Sequence, residues 1–458
     1  MSYRSDIWKN LTSRERLFDE KTSSAKTGDR SVFDMDHDRV VYSSYFRRMH
    51  DKTQVFPYAP LSPTGQARSR LSHSLEVSCV GRSLGNLAGQ FLRKELADVV
   101  PYDMGSITAT ACLAHDIGNP PFGHAGEDAI KEWMGRSIGS LGSEWETSDI
   151  HSFEGNAQGF RILTRLEAWQ RSGGLRTTLP TLAAFTKYPC TSQAGDGKKG
   201  IVSEKKFGVF KDDFTAFCEV FTRLGIPAKN ADMTAFPRHP LAFLTEAADD
   251  ICYAVVDLED AYHLGIIDFA EVRDLLLPIA GKDPDFDDDS SYENELRLAR
   301  YRSAAISSLV DQVISVFTEN IGAIENFRYE SALIDGIRDS GSYAAIKTFS
   351  AERVYNAFKV MEIESAGFKA ISGLLDIFIP AVLAQHATKE QTINRRLIPP
   401  QFLKRRERSV RSSDPDILIE SLSPYERIMA INDYISGMTD RYAIEIYQRL
   451  SGIKLPEY

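Results

Sequence analysis

A histidine and an aspartate stand side by side at His115-Asp116, and a tight turn follows them: Ile117-Gly118-Asn119-Pro120-Pro121-Phe122-Gly123. A second histidine and a glutamate, His124 and Glu127, arrive at the end of that turn. An imidazole and a carboxylate from one turn of backbone suit a divalent cation such as Mn, Fe, Ni, Zn or Mg. Oxygen donors pull the choice toward the harder ions. Chance supplies a His-Asp pair readily in 458 residues, but seldom together with the Gly-Asn-Pro-Pro turn and a His/Glu pair at i, i+3. A carboxylate at that spacing orients an imidazole and raises its basicity. The same spacing also fits a plain cap, with Glu127 near a helix N-terminus.

Two donors do not complete a coordination shell. His73 opens an apolar-periodic segment within Arg70-Leu71-Ser72-His73-Ser74-Leu75-Glu76-Val77, and Asp249 lies in a second one. Asp249, Tyr253 and Asp257 then recur at i, i+4, i+8, which places them on one face of a helix. Such a polar stripe is costly to bury without partners. Exposure of the stripe to solvent is the plainer alternative.

A histidine, then His-Asp, then a distant aspartate is the order of the HD phosphohydrolase superfamily, which this sequence resembles at His73, His115, Asp116 and Asp249. Within it, the chain is similar to the deoxynucleoside triphosphate triphosphohydrolases, the group that includes the dGTPases. The matching pieces begin with Tyr42-Ser43-Ser44-Tyr45-Phe46-Arg47-Arg48, Asp51-Lys52-Thr53-Gln54-Val55-Phe56-Pro57 and Arg70 to Ser74. The turn from His115 to Glu127 comes next, then Phe153-Glu154-Gly155-Asn156-Ala157-Gln158, Phe185-Thr186-Lys187-Tyr188-Pro189 and His239 through Asp257. A late piece, Ser436-Gly437-Met438-Thr439-Asp440-Arg441, matches too.

That resemblance implies one divalent ion per site, Mn or Mg ahead of Fe, Ni, Co or Zn. Its ligands would be His73, His115, Asp116 and Asp249, with a position left open for substrate. The family's reaction is hydrolysis at the α-phosphorus of a dNTP, giving a deoxynucleoside and inorganic tripolyphosphate. His124 and Glu127 match its acid/base relay. Arg70, Lys187 and Tyr188 match residues near the phosphates, where a polyanion requires cationic donors. Gln54, Tyr253 and Asp257 match positions around the deoxyribose that leave no room for a 2′-hydroxyl. Asn119 stands where some relatives carry histidine and others asparagine. Family members commonly form ring-like homo-oligomers, often hexamers, and some respond to dNTP or single-stranded DNA.

Bulk properties bound the reading. Hydrophobic residues make up 43% of the chain, as in a globular protein. No apolar stretch follows a basic start, so no signal peptide is expected. The longest apolar run, 371–384, is broken by Asp376 and Pro380 and falls short of a membrane span, so no membrane partner is expected. Five scattered cysteines without a CxxC pair fit reduced thiols in the cytoplasm. A net charge of −10 argues against indiscriminate nucleic-acid binding, and a polyanionic substrate then needs local positive charge. One source is Lys187, Lys198, Lys199, Lys205 and Lys206. The other is Arg395, Arg396, Lys404, Arg405, Arg406, Arg408 and Arg411. The acidic stretch 283–293 reads as a solvated surface loop.

The elements that must carry these residues read as helices, over 73–92, 106–114, 125–134, 154–169, 241–263 and 425–450. Only 201–210 alternates like a strand, as a short hairpin. The first thirty residues read as a polar surface arm, and 191–200 as an exposed loop. The expectation is an all-α HD phosphohydrolase fold with helical insertions and at most a short β-hairpin. It would form one unit over 1–458, with a metal-binding core over about 66–265 and a helical remainder, 266–458, bearing the basic segment 395–411. Two competing readings remain. One is an HD enzyme acting on a nucleoside monophosphate, cyclic nucleotide or guanosine polyphosphate. The other is a nucleotide- or nucleic-acid-sensing regulator without turnover.

Overall fold

The computed structural model describes residues 3–18, 30–55, 68–168, 174–195, 201–281, 294–404 and 412–455. Lys198, Lys199, the acidic stretch 283–293, and Arg405, Arg406, Arg408 and Arg411 lie outside the described residues. Among the described residues the chain is all-α, and β pairing is confined to isolated bridges such as Thr191 with Val209 and Cys190 with Ala235. The hairpin expected over 201–210 does not form. Its backbone makes a single 3-10 turn, Val202–Glu204, and Gly208 N donates to Cys190 O at 2.9 Å. The alternation in the sequence comes from Phe207, Val209 and Phe210 entering the core, where no neighbouring strand is needed.

Two helices form the centre. Arg70–Arg93 begins at Ser69, whose side chain accepts from Ser72 N. Pro101–Ala114 begins with proline in its first turn, where a missing N–H costs nothing. The pair approach closely because Gly81, Gly85 and Gly89 recur along one face of the first helix. A Cβ at Gly85 would lie 2.6 Å from Met104 O, and one at Gly89 2.6 Å from the Pro101 Cα. A third helix, Pro240–His263, packs on both. The His239 ring caps it by accepting from Leu241 N, and apolar residues on several faces make it a core helix.

The first thirty residues are more than an arm. Tyr3–Leu11 is a helix whose Trp8 and Leu11 are buried in the main apolar cluster. Trp8 donates to Glu325 at 3.2 Å, and Leu11 O lies 2.9 Å from His239 Nε2. The helix expected over 154–169 ends sooner, as Gly155–Arg161 followed by a π turn, Ile162–Leu166.

A second apolar cluster joins the His124 helix, Gly123–Ser137, to the C-terminal part of the chain through Trp133, Met134, Phe378, Ile428 and Ile431. Its long helix, Phe358–Leu383, extends well upstream of the 371–384 run. By length and composition alone it could cross a membrane. Ile371, Leu374, Leu375, Phe378 and Ile379 are buried in the cluster, as in a core helix. The helix expected over 425–450 is two, Pro424–Ser436 and Asp440–Leu450. Thr439 breaks it by accepting from Tyr442 N as a fresh cap. Between the two clusters lies a fully buried guanidinium. Arg161 donates to Asp433 at 2.8 and 2.9 Å and to Asp213 at 2.8 Å, while Gln158 adds a bond to Asp433 at 2.9 Å.

Candidate active site

The three central helices bring His73, His115 and Asp249 together, with one ligand atom from each lying within 4.8 Å of the others. Asp249 Oδ1 is 3.3 Å from His73 Nε2 and 3.3 Å from His115 Nε2. His115 Nδ1 lies 2.7 Å from Cys112 O, a backbone tie that leaves Nε2 facing the group. His73 Nδ1 is buried without a hydrogen-bond partner. Burial opposes charge on His115, but the Asp116 and Asp249 carboxylates outweigh it and raise its pKa to about 9. Burial would raise Asp249, yet His115, His73 and Lys187 hold it well below the usual carboxylate range. Two imidazoles and a carboxylate that stays ionised are a donor set that fits a divalent cation.

Asp116 stands beside this group rather than inside it. Its Oδ1 is 3.6 Å from His115 Nε2 and accepts from Asn119 Nδ2 at 2.6 Å. Its Oδ2 accepts from Arg70 at 2.6 Å. Burial works to raise Asp116, but His115 and Arg70 bring it down to about 2. Arg70 is itself buried and keeps its Nε without a partner. It also closes on the start of the His124 helix, since a Cβ at Gly123 would meet its Nη2. Lys187 lies on the far side of Asp249, 4.0 Å from Oδ2 and 3.5 Å from Glu246. Arg238 holds this corner by binding both Glu246 and the Lys187 carbonyl, and Tyr188 is buried against the two cations.

His124 and Glu127 form a pair in the structure, Nδ1 to Oε2 at 3.1 Å. The imidazole side chain is 77% exposed and the carboxylate 2%. Gly155 N donates to Glu127 Oε1 at 2.8 Å. Burial favours the acid form of Glu127, but His124, Lys206 and Lys131 keep it ionised. Glu127 does not cap its own helix: its Oε1 accepts from Gly155 N and its Oε2 faces the imidazole.

Tyr253 and Asp257 are joined by a residue that the sequence did not point to. The Tyr355 ring stacks on Tyr253 at 5.4 Å between centroids, and its hydroxyl donates to Asp257 at 2.8 Å. Burial pushes the Asp257 carboxyl well above its usual range. Along the stripe Asp257 is enclosed, whereas Tyr253 is half-buried and Asp249 keeps 27% of its side chain in solvent. Gln54 presents a buried Oε1 that has no hydrogen-bond partner.

Glu246 and Tyr355 went unread, and Lys206 was read only as part of a basic segment. Lys206 lies 3.8 Å from Glu127 and 3.2 Å from Glu154, Glu246 anchors Lys187, and Tyr355 closes the Asp257 wall. Lys206 had a signal in its lysine-rich segment. Tyr355 had none, since its partners lie far away in the chain.

Comparison with known proteins follows the same lines. The HD domain matches residues 70–167, and the phosphohydrolase-associated domain matches residues 416–449. The chain is 40% identical to a deoxyguanosinetriphosphate triphosphohydrolase-like protein of Synechocystis sp., over 98% of this chain and 100% of that one. A protein of the same description from Pseudomonas aeruginosa is 37% identical over 98% of this chain and 99% of its own. The deoxyguanosinetriphosphate triphosphohydrolase of Yersinia enterocolitica is 30% identical over 92% and 93% of the two chains. Such identity, sustained almost end to end, together with the HD-domain match over the first two central helices, means that this chain is a hydrolase of the HD superfamily and belongs to the deoxyguanosinetriphosphate triphosphohydrolase-like family.

Proposed function

We propose that the protein hydrolyses deoxynucleoside triphosphates at the α-phosphorus, releasing a deoxynucleoside and inorganic tripolyphosphate, with a divalent ion such as Mn or Mg. The observation that carries this reading is the double engagement of Asp249. One oxygen faces His73 and His115, and the other lies 4.0 Å from the Lys187 ammonium. On this reading the cation site and the phosphate-binding Lys187 share one carboxylate.

His73, His115 and Asp249 would hold the ion, with Asp116 adjoining and aligned by Arg70 and Asn119. The ion would supply Lewis-acid withdrawal of charge from the phosphoryl oxygens. Lys187 and Lys206 then neutralise the polyphosphate tail, and Tyr188 packs beneath the first of them. His124 is exposed enough to meet a substrate, while Glu127 fixes its Nδ1. It serves the 5′-oxygen or the attacking water as the proton-transfer group. At the sugar, the unpartnered Gln54 Oε1 and the Asp257 carboxyl receive the 3′-hydroxyl. The stacked Tyr253 and Tyr355 rings close the 2′ side.

The test is incubation with each dNTP and with GTP, plus Mn or Mg, resolving nucleoside and tripolyphosphate. Deoxynucleoside and tripolyphosphate in equal amounts are expected; a nucleoside monophosphate with pyrophosphate, or equal use of GTP and dGTP, overturns the proposal. A matched series of dGTP, GTP and ddGTP refines it. Asp257→Ala should narrow the gap in kcat/KM between dGTP and ddGTP, because a buried acid no longer goes without its hydroxyl. Tyr253→Ala should admit GTP.

A further inference from the structure

The turn between the last two helices touches the site through the backbone of the loops that carry it. Asp440 Oδ1 accepts from Phe122 N at 2.9 Å, and Oδ2 accepts from Thr53 N at 2.8 Å. Four residues earlier, Ser436 O accepts from Lys52 Nζ at 2.8 Å. The same buried ammonium donates to Asn119 O at 2.7 Å. One short turn therefore grips the His115–His124 loop at Phe122 and the Gln54 segment at Thr53 and Lys52, and Lys52 ties that segment to the loop at Asn119.

Phe122 makes this grip consequential. It is a bulky residue with φ +63, in the left-handed region, and Gly123 after it has φ +57. A side chain holds that conformation only where its surroundings over-determine it. Asp440 fixes its N–H, and Gly367 of the long C-terminal helix admits its ring, since a Cβ there would lie 2.5 Å from the Phe122 Cγ. His124 follows two residues later in the first turn of its helix and has 77% of its side chain in solvent. Its direction is set by the turn behind it more than by packing around it.

We propose that Asp440 is a positioning residue for the reaction. Its carboxylate holds the Phe122 turn and so aims His124, and its second oxygen holds Thr53 and so places Gln54. Only a carboxylate offers an acceptor to each of two backbone donors; an amide in its place turns one arm into a donor facing an N–H. The region matched by the phosphohydrolase-associated domain thereby belongs to the catalytic apparatus. This inference rests on the reading of His124 as the proton-transfer group.

The experiment is a double-mutant cycle on the full chain. The kcat and KM for the preferred dNTP are measured for the wild type, Asp440→Asn, His124→Ala and the double variant, with bound metal and thermal unfolding recorded for each. Asp440→Asn should lower kcat about tenfold or more at unchanged metal content. In the His124→Ala background it should cost no more than about threefold further, because residues acting through one group are not additive. If Asp440→Asn yields no folded protein, Lys52→Met probes the same turn through different atoms, with the same expected cycle. A slow His124→Ala enzyme in which the second substitution multiplies in full overturns this inference alone. A His124→Ala enzyme with near-normal kcat overturns the proton-transfer reading and this inference with it.

Discussion

His73 is fully buried with its ring edge-on to His115 at 5.4 Å, whereas His124 leaves 77% of its side chain in solvent. The first two ride on long helices of the main apolar cluster, locked by a glycine-lined contact. The third rides on a turn, and its helix packs in the second cluster with the C-terminal part of the chain. Under the proposed mechanism the contrast follows from what each end must do. Ligands of one ion need fixed mutual distances, which a packed core provides. A proton-transfer group must reach a substrate, so it is presented to solvent and draws its precision from hydrogen bonds at the base of its loop.

The sharpest way to break the comparison is to remove one ligand. His115→Ala should abolish turnover and metal content together while leaving a folded chain, and Asp116→Ala, which removes the adjoining carboxylate, tests whether that group joins the ligand set by doing the same. Elemental analysis showing full occupancy with normal activity would defeat the ligand set. At the other end, His124→Ala should retain the metal and lose kcat by roughly two to four orders of magnitude. Glu127→Ala should cost less, because it only orients and tunes the imidazole; steady-state kinetics with metal analysis separates the two ends.

Gly85→Val tests whether the core sets the metal end. A Cβ at Gly85 already meets Met104 O at 2.6 Å, so overpacking should destabilise the fold by about 1–3 kcal/mol. Metal affinity should weaken with it, as read by urea unfolding and a Mn titration. Unchanged affinity would detach the ligands from the helix contact. The smallest effect concerns Lys52, whose pKa burial brings down to about 7. The unfolded chain keeps that proton up to about pH 10.4. It therefore binds more protons than the folded chain between those values, and stability should rise with pH across that window. Below it the cost of burying the charge is present in full. Lys52→Met should flatten the rise between pH 7 and pH 9 in urea unfolding, and an equal slope in both proteins would refute the buried cation.

What the sequence made legible was local. His115-Asp116, His124 with Glu127, and the stripe Asp249, Tyr253, Asp257 each sit within a few turns of one helix or loop, so spacing drew notice to them, while their expected roles came from the family resemblance. The helical class was legible for the same reason, through periodicity. The misreadings have physical causes. Phe207, Val209 and Phe210 alternate because they fill a core, and alternation does not distinguish that from pairing. At 436–440 an apolar period ran across a cap, because the helices on either side both bury residues in the same cluster. The partnerships of Tyr355 with Asp257, Lys206 with Glu127, and Asp440 with Phe122 span long stretches of chain, and nothing local announces them.

The guanidinium of Arg161 has a bearing on how such chains can evolve. It is wholly enclosed, and Asp433 supplies two of its hydrogen bonds from a segment 272 residues away. Changing either residue alone leaves a buried ion short of its main partner, with Asp213 left to Arg161 or Gln158 to Asp433, a loss on the order of 3–5 kcal/mol. Drift at one of these positions is therefore forbidden without drift at the other, and the two ends of the gene must be inherited as a matched set. A chimera that joins the first part of this chain to the last part of a relative lacking an acid at that place should fail to accumulate, whatever the state of its catalytic residues.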